Sequence, residues 1–127
     1  MTFSLPSIRP SRLAGLGLLV AAAALPGTAL AHAILMSSTP ASGGSIAAGH
    51  QALDFRYNSK IDHKRSRLTL SGPDGAPTVL PISPASATNA LDAEADLKPG
   101  AYTLRWQALA LDGHITRGDV PFTVVAK

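Results

Sequence analysis

The residues of this chain best suited to metal chemistry stand at two distant places: His32 on one side, Asp112 and His114 on the other. His32 follows Ala29-Leu30-Ala31, an A-x-A signal for removal of a secretory leader, so cleavage after Ala31 makes it the first residue of the exported protein. An amino-terminal His offers an α-amine and an imidazole Nδ1 that close a chelate ring on one ion, a pair no internal residue supplies. The ordinary pKa of that amine, about 7.7–8.0 against about 10.4 for a Lys amine, lets a metal displace its proton near neutral pH. Asp112 and His114 are usual ligand types and, two apart in a nearly extended segment, project to the same side. Taken alone, Asp112-Gly113 reads better as a favoured hairpin turn, with His114 merely solvated. The two half-sites strengthen each other, because a terminal strand and a late hairpin can gather at one end of a small β domain.

A centre built from the His32 amine, His32 Nδ1, a His114 nitrogen and an Asp112 oxygen has three nitrogens and one oxygen. Tetragonal nitrogen and oxygen sets favour Cu(II), which stands at the top of the divalent affinity order. Zn(II) takes the same atoms in a tetrahedral arrangement. Cu(I) wants sulfur, and the chain has no Cys and, after the leader, only Met36. The expectation is one Cu(II) per chain, held by His32, Asp112 and His114 and released in mild acid as both imidazoles and the amine protonate. His50, after Ala47-Ala48-Gly49, is expected in a loop and His63 in the polar stretch 60–64. Both are read as solvated, His63 beside Asp62 being the more plausible auxiliary ligand.

These residues have to be positioned by a small exported domain. Arg9 and Arg12, the apolar run 14–25 and the A-x-A signal form the three regions of a signal peptide covering residues 1–31. Pro26 and Gly27 break the run, which leaves it short for a membrane span. Removing 31 of 127 residues leaves 96, one domain over 32–127, exported to the periplasm. The formal charge of +3 falls to about +1, since two Arg leave with the leader and all eight acidic residues stay. No basic run beyond Lys64-Arg65 and Arg67 remains, so no nucleic-acid partner is expected. An exported chain without Cys has neither disulfides nor thiolate sites.

From His32 onward the apolar period is two, and no segment of ten or more residues shows the helical period. This predicts an all-β fold of seven strands, a Greek-key sandwich or flattened barrel of immunoglobulin-like or cupredoxin-like type. The strands fall at about 32–38, 53–57, 67–71, 78–83, 91–97, 102–108 and 117–126. Pro81 removes a ladder donor and puts the fourth at a sheet edge. Pro99-Gly100 with Tyr102 looks like a tyrosine corner, and Trp106, sharing a face with Tyr102, Leu104 and Ala108, is read as the centre of the core.

Several ordered motifs together resemble a known family, the periplasmic copper-resistance protein C or CopC-like copper-binding domain. They are His32-Ala33-Ile34-Leu35 with Ser37-Ser38-Thr39-Pro40-Ala41-Ser42-Gly43, the strand 53–57, Pro99-Gly100-Ala101-Tyr102 with Trp106, and Asp112-Gly113-His114 leading to Gly118. The resemblance spans essentially all of 32–127. It implies a cupredoxin-like barrel or sandwich binding Cu(II) through a bidentate His32 and the His114 imidazole, with Asp112 a ligand or a close acceptor. Some members also hold Cu(I) in a Met-rich loop with an additional His; residues 72–88 contain neither Met nor His. Some place a Glu after the second strand, where this chain has Asn58-Ser59-Lys60. The resemblance further implies a carrier or buffer without catalysis, a monomer here, working with an inner-membrane copper transporter. Two other readings use the same residues. An oxidative enzyme with an amino-terminal histidine brace would need a flat aromatic surface for a sugar chain, yet the aromatics fall on inward faces. A metal-free immunoglobulin-like module would ignore copper.

Overall fold

The computed structural model describes residues 32–127; the signal-peptide assignment to 1–31 lies outside the described residues. Among the described residues there are eight strands: β1 (Leu35–Thr39), β2 (Ser45–Ala47), β3 (Gly49–Tyr57), β4 (Arg67–Ser71), β5 (Thr78–Leu80), β6 (Ala90–Leu97), β7 (Gly100–Leu109) and β8 (Ile115–Val125). They form a three-stranded sheet, β1-β3-β6, and a five-stranded sheet, β2-β8-β7-β4-β5. The chain passes from one sheet to the other five times. Non-consecutive neighbours such as β3 with β6 and β4 with β7 give the Greek-key character of the sandwich.

Alternation along each strand supplies the layers. Leu53, Phe55 and Tyr57 from β3 and Leu91, Ala93 and Leu97 from β6 point inward to meet Leu104 and Trp106 of β7 and Val120, Phe122 and Val124 of β8. Trp106 is 7% exposed and packs edge-to-face with Tyr57, their ring centroids 5.2 Å apart, as a central core aromatic should. The tyrosine corner is formed: Tyr102 Oη donates to the Lys98 carbonyl at 2.8 Å and accepts from the Lys98 amide at 3.0 Å, while its ring stacks on Phe122.

The all-β sandwich is the expected architecture, but its strands number eight rather than seven. The extra one, β2, is three residues long and pairs in parallel with the end of β8, too short to show a period of its own. β3 begins at Gly49, whose φ of 116° starts the strand sharply, so His50 belongs to a strand and not to a loop. β1 begins at Leu35 rather than His32, and β5 stops at Leu80, the residue before Pro81. β5 does lie at a sheet edge, where the missing amide of Pro81 costs no central ladder bond.

Candidate metal centre

The segment before β1 and the β7–β8 hairpin meet at one end of the sandwich. Ala33 is buried, and its carbonyl accepts from Thr116 Oγ1 at 2.7 Å; Ile34 donates to Asn58 Oδ1 at 2.8 Å. These bonds tie the entering chain to β8 on one side and to the end of β3 on the other, leaving exposed His32 one residue beyond a fixed point. The hairpin is closed by Ala110 N to the His114 carbonyl at 2.9 Å and Gly113 N to the Ala110 carbonyl at 2.9 Å, with Gly113 at φ 97°. Asp112 and His114 therefore face each other across a tight turn instead of standing as alternate residues of an extended segment. The positive φ that Gly allows makes the difference.

The rings of His32 and His114, 82 positions apart in the chain, lie with centroids 5.0 Å apart and planes inclined by 35°. With metal–nitrogen bonds of about 2.0 Å, two imidazoles on neighbouring positions of one ion have centroids separated by roughly 4.5–5.2 Å. The observed separation falls within that range. Asp112 spends both oxygens on His114, one accepting from its backbone amide at 3.1 Å and one facing its Nδ1 at 3.1 Å. A carboxylate facing Nδ1 favours the tautomer with the proton there, which turns the Nε2 lone pair outward. The His114 amide, then its ring and the nearby His32, hold the Asp112 carboxyl below the usual carboxylate range, so it remains an acceptor over the whole neutral region.

Among the described residues no three His, Cys, Asp or Glu side chains converge as a ready-made cage. What this end presents is two imidazoles and an orienting carboxylate. The third nitrogen of the sequence-based centre is a backbone amine, which exists only once the chain begins at His32. The ligand chemistry fits a borderline, nitrogen-preferring divalent ion.

The other histidines are engaged elsewhere. His63 opens a single 3-10 turn, His63–Arg65, and its Nε2 donates to the Ala87 carbonyl at 3.0 Å. Asp62, its neighbour in sequence, caps that turn through Lys64 N and Arg65 N and pairs with the Arg65 guanidinium. His50 stands between two carboxylates of β6, with Nε2 2.6 Å from Glu94 and Nδ1 2.7 Å from Asp96; Glu94 first and then Asp96 raise its pKa. Sequence reading missed this cluster because 44 and 46 positions separate the partners; only the β3–β6 register, which sets His50 opposite Asp96, reveals it. Next along that face Asp54 lies opposite Asp92, whose pKa burial and then the facing Asp54 push up to about 6.

The aromatic side chains of the described residues offer no platform near the histidines. Phe55, Tyr57, Trp106 and Phe122 are buried, and Tyr102 is committed to its corner.

Comparison with known proteins adds one family and a common fold. Residues 35–125 match the model of the CopC domain, a span that includes Asp112 and His114 and stops three residues short of His32. Protein YobA of Escherichia coli (strain K12) is 29% identical over 109 residues, covering 74% of this chain and 79% of its own length. YobA of Shigella flexneri matches to the same extent. Among solved structures, CopC from Methylosinus trichosporium OB3b superposes with a TM-score of 0.67 at 22% identity, over 75% of this chain and 95% of that one. PcoC, a methionine-rich copper resistance protein from Escherichia coli, superposes with a TM-score of 0.62 at 25% identity, over 75% of this chain and all of the other.

Proposed function

The chain belongs to the CopC domain family, and from that premise we propose that it is an exported copper resistance protein that binds one Cu(II) ion at the His32–His114 end of the sandwich. Proteins of this family bind copper rather than catalyse a reaction. In this reading the leader 1–31 is removed, the domain 32–127 works in the periplasm as a monomer, and it buffers copper or passes it to an inner-membrane copper transporter. His32 binds through its amine and Nδ1, His114 through Nε2, and Asp112 holds the His114 ring in the binding tautomer. Cu(II) is favoured over Cu(I) because residues 32–127 contain a single sulfur, that of Met36, in contrast to a methionine-rich relative.

The observation that carries the reading is the 5.0 Å approach of the two imidazoles, one of them on the residue that follows the A-x-A signal. Native mass spectrometry of the protein exported with its own leader, before and after one equivalent of Cu(II), tests it. The expected result is a mass beginning at His32 that gains one copper, with tight binding abolished by His32→Ala or His114→Ala and retained by His50→Ala. Near-native affinity in His114→Ala would sink the proposed centre.

A further inference from the structure

Six large hydrophobic side chains are exposed on the described domain, and four of them, Ile34, Met36, Leu111 and Ile115, lie within four residues of His32 or His114. Three are more than half exposed, at 55%, 66% and 63% for Ile34, Met36 and Leu111. The bonds that build this end hold three of them to it: Leu111 N reaches the Lys60 carbonyl, Ile34 is tied to Asn58, and Ile115 opens β8 directly after His114. Apolar collars of this kind on a small soluble domain mark a contact surface.

The charges beside the collar say what kind of surface it meets. Lys60, Lys64, Arg67 and Arg117 are exposed, and none forms an ion pair among the described residues. Arg67 and Arg117 flank Gln107 in one row across the outer face of the five-stranded sheet, with Ile115 next along β8. The outer face of the three-stranded sheet is the reverse, carrying Asp54, Asp92, Glu94 and Asp96 against Arg56 and His50. The charge is therefore uneven: toward the histidine end the carboxylates Asp112, Asp62 and Asp119 are each paired, with His114, Arg65 and Arg105, which leaves Lys60, Lys64, Arg67 and Arg117 outside any ion pair beside the aliphatic tips, whereas the other outer face gathers four carboxylates.

We propose that this end of the domain docks reversibly on an anionic lipid surface, with Leu111 and Ile34 entering the headgroup layer and Lys60, Lys64, Arg67 and Arg117 facing the lipid charges. Exposed aliphatics combined with unpaired Lys and Arg are what such a surface recognises, and the far carboxylates orient the domain by repulsion. The inference rests on the copper reading only for its purpose: it would set the cargo site against the membrane in which a transporter sits.

The test uses the full sequence, exported so that the cell sets its N-terminus, and vesicles of phosphatidylethanolamine with phosphatidylglycerol, or of phosphatidylcholine alone. Cosedimentation with the anionic vesicles at low ionic strength, and not with phosphatidylcholine, is expected. Arg67→Gln with Arg117→Gln should weaken it by about 25-fold at unchanged circular dichroism, and Leu111→Ser should weaken it severalfold. Because any retained leader would be common to all samples, the comparison between variants decides. Failure of the parent protein to sediment with anionic vesicles, or equal sedimentation of the variants, overturns the proposal. Binding of soluble polyglutamate in place of the vesicles would also overturn it and assign the face to an acidic protein. A copper titration of the same samples reads the two ideas separately: vesicle binding without copper binding leaves the lipid surface standing and removes the cargo.

Discussion

Replacing Asp112 with Asn separates an orienting role from a coordinating one. Both carboxylate oxygens serve His114, at 3.1 Å from its backbone amide and 3.1 Å from its Nδ1. An Asn side chain keeps only one acceptor. Whichever way the amide turns, one of the two donors of His114 then faces an NH2 group. If the ring loses its acceptor it can move its proton to Nε2, the atom that in the proposed centre faces the ion with a lone pair. Removing an outer partner of a ligating His typically weakens metal binding by about 10–100-fold, and that is the loss expected of Asp112→Asn. Competition of Cu(II) between the protein and a small chelator measures it, with His114→Ala as the reference for losing the ligand itself. The Asn variant should retain the parent's Cu(II) electron paramagnetic resonance spectrum, because the bound nitrogens are unchanged. Affinity equal to the parent's would refute an orienting carboxylate. A loss as large as that of His114→Ala, with an altered spectrum, would make Asp112 a ligand in its own right.

Three further substitutions probe the scaffold and its titrating groups. Gly118 lies opposite Trp106, and a Cβ there would stand 2.6 Å from Cζ2 and 2.7 Å from Cε2 of the indole, so Gly118→Ala should destabilise by about 1–3 kcal/mol, read as a lowered melting temperature and a shifted Trp106 emission. His50 has a raised pKa in the folded protein, so its pairing with Glu94 and Asp96 stabilises fully below about pH 6.5 and is lost as the pH climbs through the raised folded value. Urea unfolding across that range should show His50→Gln removing this part of the pH dependence. Asp92, pushed up to about 6, works in the opposite sense for a carboxyl: its charged form opposes folding at neutral pH, and the penalty fades as the pH falls through about 6. Asp92→Asn should raise the urea midpoint at neutral pH and give no gain below about pH 4, where the parent Asp is protonated in both states.

Most of the sandwich was legible because alternation is local. Leu53, Phe55 and Tyr57, or Val120, Phe122 and Val124, announce an inward face within five residues, and each triplet is buried as expected. The tyrosine corner was legible for the same reason, since Tyr102 and Lys98 are four residues apart. What stayed hidden depends on register. β2 spans three residues, and Ser45, Ile46 and Ala47 show no periodicity until they pair with β8. His50 read as a loop residue because Ala47-Ala48-Gly49 carries no strand signal, whereas its place opposite Asp96 is imposed by the whole β3–β6 ladder. The candidate centre falls between these cases. His32, Asp112 and His114 were identifiable from their types and spacing, and their gathering at one end follows from the fold. That Asp112 turns both oxygens to His114 depends on a glycine turn whose shape two-residue spacing does not specify.

In the proposed centre, with the chain beginning at His32, the mooring of Ala33 gives the terminal ligand an unusual economy of motion. The first residues of a chain ordinarily sample a wide volume, and an ion that captures them has to suppress that freedom. Here the freedom is lost when the domain folds: Ala33 is buried and held to Thr116, so His32 hangs on a leash one residue long beside the ring it is to join. Its local concentration near His114 is set by that leash rather than by diffusion of a loose tail. A substitution at position 33 or 116, neither of them a ligand, should then act as a dial on how long a captured ion stays, lengthening the leash and shortening the residence time.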